Sequence, residues 1–391
     1  MYGSGEFFYF YRMYKSFLPV RIVYTILFCG LMAAPATAQL NNTFFENQRS
    51  LDAERTGSLY LSVYNFNYQR NYEYFNKFAD GLTYYGFNLQ PELAWYSSDH
   101  VLVTGGLFMR KDFGNSGIYN TQPVFTVNYH KKNFQIINGS LNGNVAHRLV
   151  EPIYDYDRIM TDPLEYGTQF LYKDSTWNID AWINWEKMIY KPSPEQEEIS
   201  GGASLAYTLL NNERFHVSIP FQFLAYHQGG QIDTIDVPLT TVVNSAVGFQ
   251  LKWYTGRVLK YVHTENYFLT YKDFSFTKRR IFSQGNGLML NAGLKFKPAD
   301  LSVTYWKGNG FESVHGAPGY ESVSSHIHHP GYSEDTRELI IMRLVSDFKV
   351  SDHLYIGTRL EPYIDLRNPK LEFVNSLFLV YREDFKLKKI R

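Results

Sequence analysis

Along most of this chain, apolar and polar side chains alternate with a period of two. In WNIDAWINWEKM (177–188), Trp177, Ile179, Ala181, Ile183 and Trp185 fall on one side, and Asn178, Asp180, Trp182, Asn184 and Glu186 on the other. The same pattern returns in YYGFNLQPELAWY (84–96), in ISGGASLAYTLL (199–210), around Phe215 to Phe223 and around Leu288 to Phe296. Alternation sustained for about ten residues is a β-strand with one apolar and one polar face, and helical periodicity is almost absent.

The runs predict strands at 57–69, 82–96, 100–110, 120–130, 133–145, 164–172, 176–187, 198–210, 213–227, 240–254, 257–272, 285–297, 300–307, 337–350, 352–366 and 371–386. That makes about sixteen, within a range of about 14–18. Alternate connectors are tight, as at Lys131-Lys132, Asn211-Asn212 and Thr255-Gly256, and the intervening ones are mostly long. Short turns at one end and long loops at the other are the build of an all-β, transmembrane, antiparallel up-and-down β-barrel.

Composition agrees. The chain carries 32 Tyr and 30 Phe, has no formal net charge, and contains one cysteine, Cys29. Balanced charge gives no nucleic-acid footprint, and one cysteine gives no disulfide framework. A soluble β-sandwich would also alternate. However, a chain of 391 residues would then be expected to split into domains, and no linker or composition shift follows residue 56. Trp95, Trp177, Trp185, Trp253, Trp306 and Tyr381 end apolar faces, as interfacial girdles do. Trp177 and Trp185 stand about 27 Å apart at about 3.4 Å per residue, close to the height of the apolar band.

At the N-terminus, Lys15 and Arg21 precede the apolar run 22–34 and the small-residue site Ala36-Thr37-Ala38. This predicts a signal peptide over 1–38, with Met13 as its true start, and export to the outer membrane. A periplasmic segment over 39–56 and a single barrel over 57–391 follow.

LFLVYREDF (377–385) resembles the closing-strand signal of Gram-negative outer-membrane barrel proteins, although Lys386 to Arg391 extend beyond the final Phe385. GSLNGNVAHRLVEPIYDYDR (139–158) and WINWEKM (182–188) together resemble uncharacterised, porin-like outer-membrane barrels of Bacteroidetes-type bacteria. That resemblance implies location and fold, with no activity attached.

Sixteen strands enclose a lumen wide enough for water. The expected function is therefore a porin: passive passage of small hydrophilic solutes, ions or sugars, without enzymatic activity and without a cofactor. The expected wall and constriction comprise Asn142, Asn144, His147, Arg148, Glu151 and Asp155 from a loop folding inward, with Asp180, Trp182, Asn184 and Glu186 from the strand. Trp182 is an inward ring among carboxylates, suited to stacking on a sugar or to packing beneath that loop.

The alternative is a surface receptor or adhesin barrel occluded by its loops, above all by 308–336. That loop carries His326, His328 and His329, weak metal candidates because no regular element fixes their geometry. A lipid-modifying enzyme ranks last, with Ser325, His326 and Asp335, or Tyr226 and His227, as the residues at its disposal. The expected partners are outer-membrane lipid and small solutes, with room for a homo-oligomer or a surface lipoprotein.

Overall fold

The computed structural model describes residues 42–390, so the expected leader over 1–38 lies outside the described residues. Sixteen strands follow one another: β1 (Ser58–Glu73), β2 (Thr83–Ser98), β3 (Val101–Asp112), β4 (Asn120–Lys131), β5 (Phe134–Ser140), β6 (Tyr166–Lys173), β7 (Trp177–Lys187), β8 (Glu198–Asn211), β9 (Phe215–Gln228), β10 (Thr240–Tyr254), β11 (Leu259–Asp273), β12 (Gln284–Phe296), β13 (Asp300–Asn309), β14 (Thr336–Lys349), β15 (Leu354–Asp365) and β16 (Leu371–Lys389). Each pairs with its sequence neighbours, and β16 returns to β1, so the sheet is a closed antiparallel barrel. The extra residues after Phe385 lengthen the closing pair: Lys386 faces Tyr60 and Lys389 faces Ser58.

The barrel is inside-out relative to a soluble protein. Leu290, Phe221, Phe249 and Leu344 point outward and are exposed, whereas Tyr68, Tyr267 and Arg337 are buried inside; Trp306, expected in the girdle, is also buried inside, because on β13 it is Tyr305 that falls on the outward face. In β7, Trp177, Ile183 and Trp185 face out, and Asp180, Trp182 and Asn184 face in. Apolar residues face lipid at no desolvation cost, while polar groups turn to partners in the lumen.

The one large departure from the expected strands is local. Regular pairing of the run expected over 133–145 stops at Ser140, and β6 resumes at Tyr166. Gly139 has φ +105, and a Cβ there would fall 2.1 Å from the Phe125 carbonyl oxygen, so only glycine permits this close crossing. The chain then turns into the lumen.

Three segments fill that lumen. Segment 141–165 carries two one-turn helices, Asn144–His147 and Arg158–Thr161. The loop between β13 and β14 meets it: the Asp155 amide donates to the His315 carbonyl at 2.6 Å, the Ala317 amide to the Glu151 carbonyl at 2.9 Å, and Ser313 Oγ to the Ile153 carbonyl at 2.9 Å. From the short-turn end, residues 42–57 insert Phe45, whose ring lies 4.9 Å from Phe378 and 5.5 Å from Phe66. The aromatic core is therefore inside the barrel, between plug and wall.

The inside-out arrangement gives a direct expectation. Leu290→Arg, on the lipid face near the middle of β12, should destabilise the barrel by about 2–4 kcal/mol, read as a lower urea midpoint for the bilayer-folded protein.

Candidate functional site

The interior contains the densest set of ionisable groups. Glu361 on β15 receives Arg70 Nη1 at 2.5 Å and Arg343 Nε at 2.9 Å, and Arg343 Nη2 continues to Glu151 at 2.5 Å. Tyr320 donates its hydroxyl to the same Glu151 at 2.7 Å. All five side chains are buried. Charges taken out of water this far persist only when paired and hydrogen-bonded, and here each is.

Within the plug, His147 has no exposed surface. Nδ1 lies 2.8 Å from Asp180 and Nε2 2.6 Å from Glu165, and its ring stacks on Trp182 at 3.5 Å between centroids. Burial pulls the imidazole down, but the carboxylates of Glu165 and Asp180 outweigh it and lift His147 to about 10. Below that pH it is an imidazolium donating from both nitrogens. The cation thus rivets the plug to β7. Trp182 packs beneath the inward loop, and a Cβ at Gly202 would lie 2.9 Å from its ring.

The other expected wall residues are dispersed among structural bonds. Asn144 donates to the Asp155 carbonyl at 3.2 Å, Asn184 accepts the Tyr166 amide at 2.8 Å, and Glu186 pairs with His315 at 2.8 Å. Arg148 adopts a left-handed backbone, φ 56, and reaches Glu46 at 3.2 Å. Asn142 gives its backbone amide to Gln169 at 3.2 Å. Asp155 is raised to about 6 by burial, despite an opposing backbone hydrogen bond from Asp157. His326, His328 and His329 cluster near Asp80, with His326 Nδ1 3.3 Å from that carboxylate. No described group of His, Cys, Asp or Glu has an arrangement that could hold a metal.

A second arrangement lies on the outer wall, towards the long-loop end. Strand register aligns Thr241, His227, Ile199 and Trp185 across β10, β9, β8 and β7. The next outward row is Val243, Ala225, Gly201 and Ile183, and the one below it is Ser245, Phe223, Ala203 and Ala181. Glycine and alanine replace bulk at the centre of these rows and leave a hollow of about 490 Å³ in the lipid-facing surface. At its head, His227 Nδ1 lies 2.9 Å from Thr241 Oγ1. Nε2 has no hydrogen-bond partner among the described residues. Behind the pair, Ser275 Oγ accepts the Thr241 amide at 2.9 Å and holds the neighbouring loop in place.

His227 was within reach of the sequence; Thr241 was not, because only pairing register brings them together. The available signal was a polar pair on a face otherwise built from apolar and very small residues.

The two settings differ chemically. Both nitrogens of His147 are committed and no substrate can reach them, whereas His227 keeps one nitrogen free beside an apolar hollow. An unpaired imidazole nitrogen can accept a proton during ester or amide hydrolysis.

The model of the lipid A 3′-O-deacylase-type family matches residues 51–390. Among solved structures, the chain is similar to the outer membrane protein OprD from Pseudomonas aeruginosa, at 11% identity over 84% of this chain and 94% of that one, with a TM-score of 0.46. It is also similar to OccAB3 from Acinetobacter baumannii, at 9% over 84% and 99%, TM-score 0.46. A loop L8 deletion mutant of OmpT from Vibrio cholerae is similar at 10% over 83% and 100%, TM-score 0.49. No curated protein matches. The family match corrects the expectation that the chain has no enzymatic activity, because the matching family is one of enzymes. The expectation arose because a polar pair formed across lipid-facing strands leaves no mark on either strand read one at a time.

The imidazolium rivet makes stability depend on pH. His147 is raised from 6.5 to about 10, so its contribution is complete below pH 6.5 and is lost as pH rises through about 10. The urea midpoint of the detergent-folded barrel should fall across that window. His147→Gln, which strands two buried carboxylates, should cost about 3–5 kcal/mol at neutral pH and flatten the dependence.

Proposed function

Because the chain belongs to the lipid A 3′-O-deacylase-type family, we propose that this outer-membrane barrel hydrolyses an acyl ester of a lipid A-type lipid at the hollow headed by His227. The observation that carries this reading is the free Nε2 of His227, with Nδ1 tied to Thr241 at 2.9 Å, above a lipid-facing depression of about 490 Å³.

The chemistry follows from the two nitrogens. With Nδ1–H donated to Thr241 Oγ1, the lone pair resides on Nε2. Nε2 takes a proton from water as the water oxygen attacks the ester carbonyl, then returns it to the departing sugar oxygen. One water and one ester yield a fatty acid and a hydroxyl. Thr241 acts as a positioning residue that sets the tautomer and ring angle, and the small residues Gly201, Ala203 and Ala225 admit an acyl chain. The long loops of such barrels face the cell exterior; on that orientation the pair stands near the headgroup level of the outer leaflet, where Trp185 donates to Glu197 at 3.0 Å.

A second reading keeps the lumen as the functional space. A cavity of about 470 Å³ below the plug is lined by Lys173, Asn178, Gln250, Lys252 and Glu265, a wall suited to small hydrophilic solutes. Passage through it requires the plug to move; stable ohmic conductance of the folded barrel in a planar bilayer would support that reading.

The deacylase reading is tested with the purified barrel in vesicles containing lipid A, measuring released fatty acid by mass spectrometry. His227→Ala should reduce the rate by about 10²–10⁴-fold, and Thr241→Val by a smaller factor. A folded wild-type barrel that releases no fatty acid, or a His227→Ala variant with undiminished release, would overturn it.

A further inference from the structure

Most strands turn an apolar row to the lipid, as β9 does with Val217, Ile219, Phe221 and Phe223. β1 breaks that rule. Its Tyr64, Phe66, Tyr68 and Arg70 are buried inside, so the alternation turns Asn65, Asn67, Gln69 and Asn71 outward. Among the described strands no other places three amide side chains in succession on its outward face. Register gives their depth: Asn65 lies between Leu89 of β2 and Tyr381 of β16, Asn67 between Phe87 and Leu379, and Gln69 between Tyr85 and Leu377. The amides are therefore set within the apolar band, where hydrocarbon offers an unpaired polar group nothing in place of water.

The ends of the row are tied and its centre is not. Asn65 donates Nδ2 to the Asn88 carbonyl at 3.2 Å and accepts Asn67 Nδ2 at 2.6 Å. Asn71 accepts the Thr83 hydroxyl at 2.6 Å and donates to Glu73 at 2.7 Å. Between them, Asn67 Oδ1 has no hydrogen-bond partner among the described residues, and neither has Gln69 Oε1, whose amide nitrogen reaches Asn375 Oδ1 only at 3.5 Å. Neither oxygen is enclosed.

What covers such a patch follows from its chemistry. Asn67 and Gln69 carry no charge, and each carboxamide has both donors and an acceptor, so its best complement is another carboxamide. The same patch on a second copy supplies that: across a two-fold axis, the amides of each copy exchange hydrogen bonds reciprocally. Barrel strands tilt by about 35–45°, so two β1 strands facing each other across an axis along the bilayer normal cross at roughly 70–90°. Only the middle of each strand then meets its counterpart. That is where the two free oxygens lie.

We propose that β1 is a dimer seam, at which two copies of this barrel pack within the bilayer through Asn67 and Gln69. The seam is independent of the deacylase reading. β9, which bears His227, stands diametrically opposite β1 in the ring, so each hollow stays open to lipid.

The test uses the full chain refolded in detergent, its fold checked by heat-modifiable gel mobility. Sedimentation equilibrium in density-matched micelles should give the mass of two chains, and the double variant Asn67→Leu/Gln69→Leu should keep the fold but associate about tenfold or more weakly. In a Cys29→Ser background in phosphatidylcholine vesicles, Asn67→Cys should form a disulfide-linked dimer, and Phe221→Cys, on the lipid face of β9, should not. A folded wild-type barrel that stays a single chain at every concentration would mean that lipid or another protein covers the row, and would overturn the proposal. Undiminished association of the double variant, or equal cross-linking at 67 and 221, would overturn it too. The cross-linking comparison decides the matter even if the double variant does not fold.

Discussion

Everything in this molecule depends on closing a ring of backbone hydrogen bonds where no water is available. Inside a bilayer each unpaired N–H or C=O costs several kcal/mol, and β1 removes the last open edge by pairing with β2 on one side and β16 on the other. Closure forces one row of side chains into lipid and the other into a lumen. The period-two sequence is the imprint of that division, and the outward Leu, Phe and Trp are its direct consequence.

The inward row then sets a second problem. Arg70, Arg337, Arg343 and Arg359 all point into the barrel and are buried, together with Glu92, Glu361 and Asp365. The plug answers it: Glu151 and Asp157 from the inward loop pair with Arg343 and Arg70, and Phe45 sits beneath the Arg359 guanidinium at 4.6 Å. The His147 imidazolium between Asp180 and Glu165 belongs to the same solution. These inward ion pairs hold the plug against the wall. The imidazole of His227, whose Nε2 has no hydrogen-bond partner among the described residues, lies instead on the outer wall.

Much of the fold was legible because it rests on local periodicity. Expected and observed strands agree within a few residues at most ends; β10 coincides at 240–254. The exception, at 133–145, is physically informative: Asn142 and Asn144 keep the alternation going, but Gly139 at φ +105 and Gly143 at φ +82 let the chain leave the sheet. An inward loop at that place was readable from its charges and Pro152. What was not readable was that segments beginning at Leu141 and Gly310 would meet, since their contact spans about half the barrel in sequence and depends on closure.

The sequence by itself determined the alternation, the strand number, the tight turns and all of the outward aromatic girdle except Trp306, because each follows from neighbours two or a few residues apart. Tertiary structure alone decided which inward charges meet, that Trp182 stacks on His147, and that His227 and Thr241 face each other above Gly201 and Ala225. Those juxtapositions join distant residues, and only the stagger of paired strands around a closed ring fixes them.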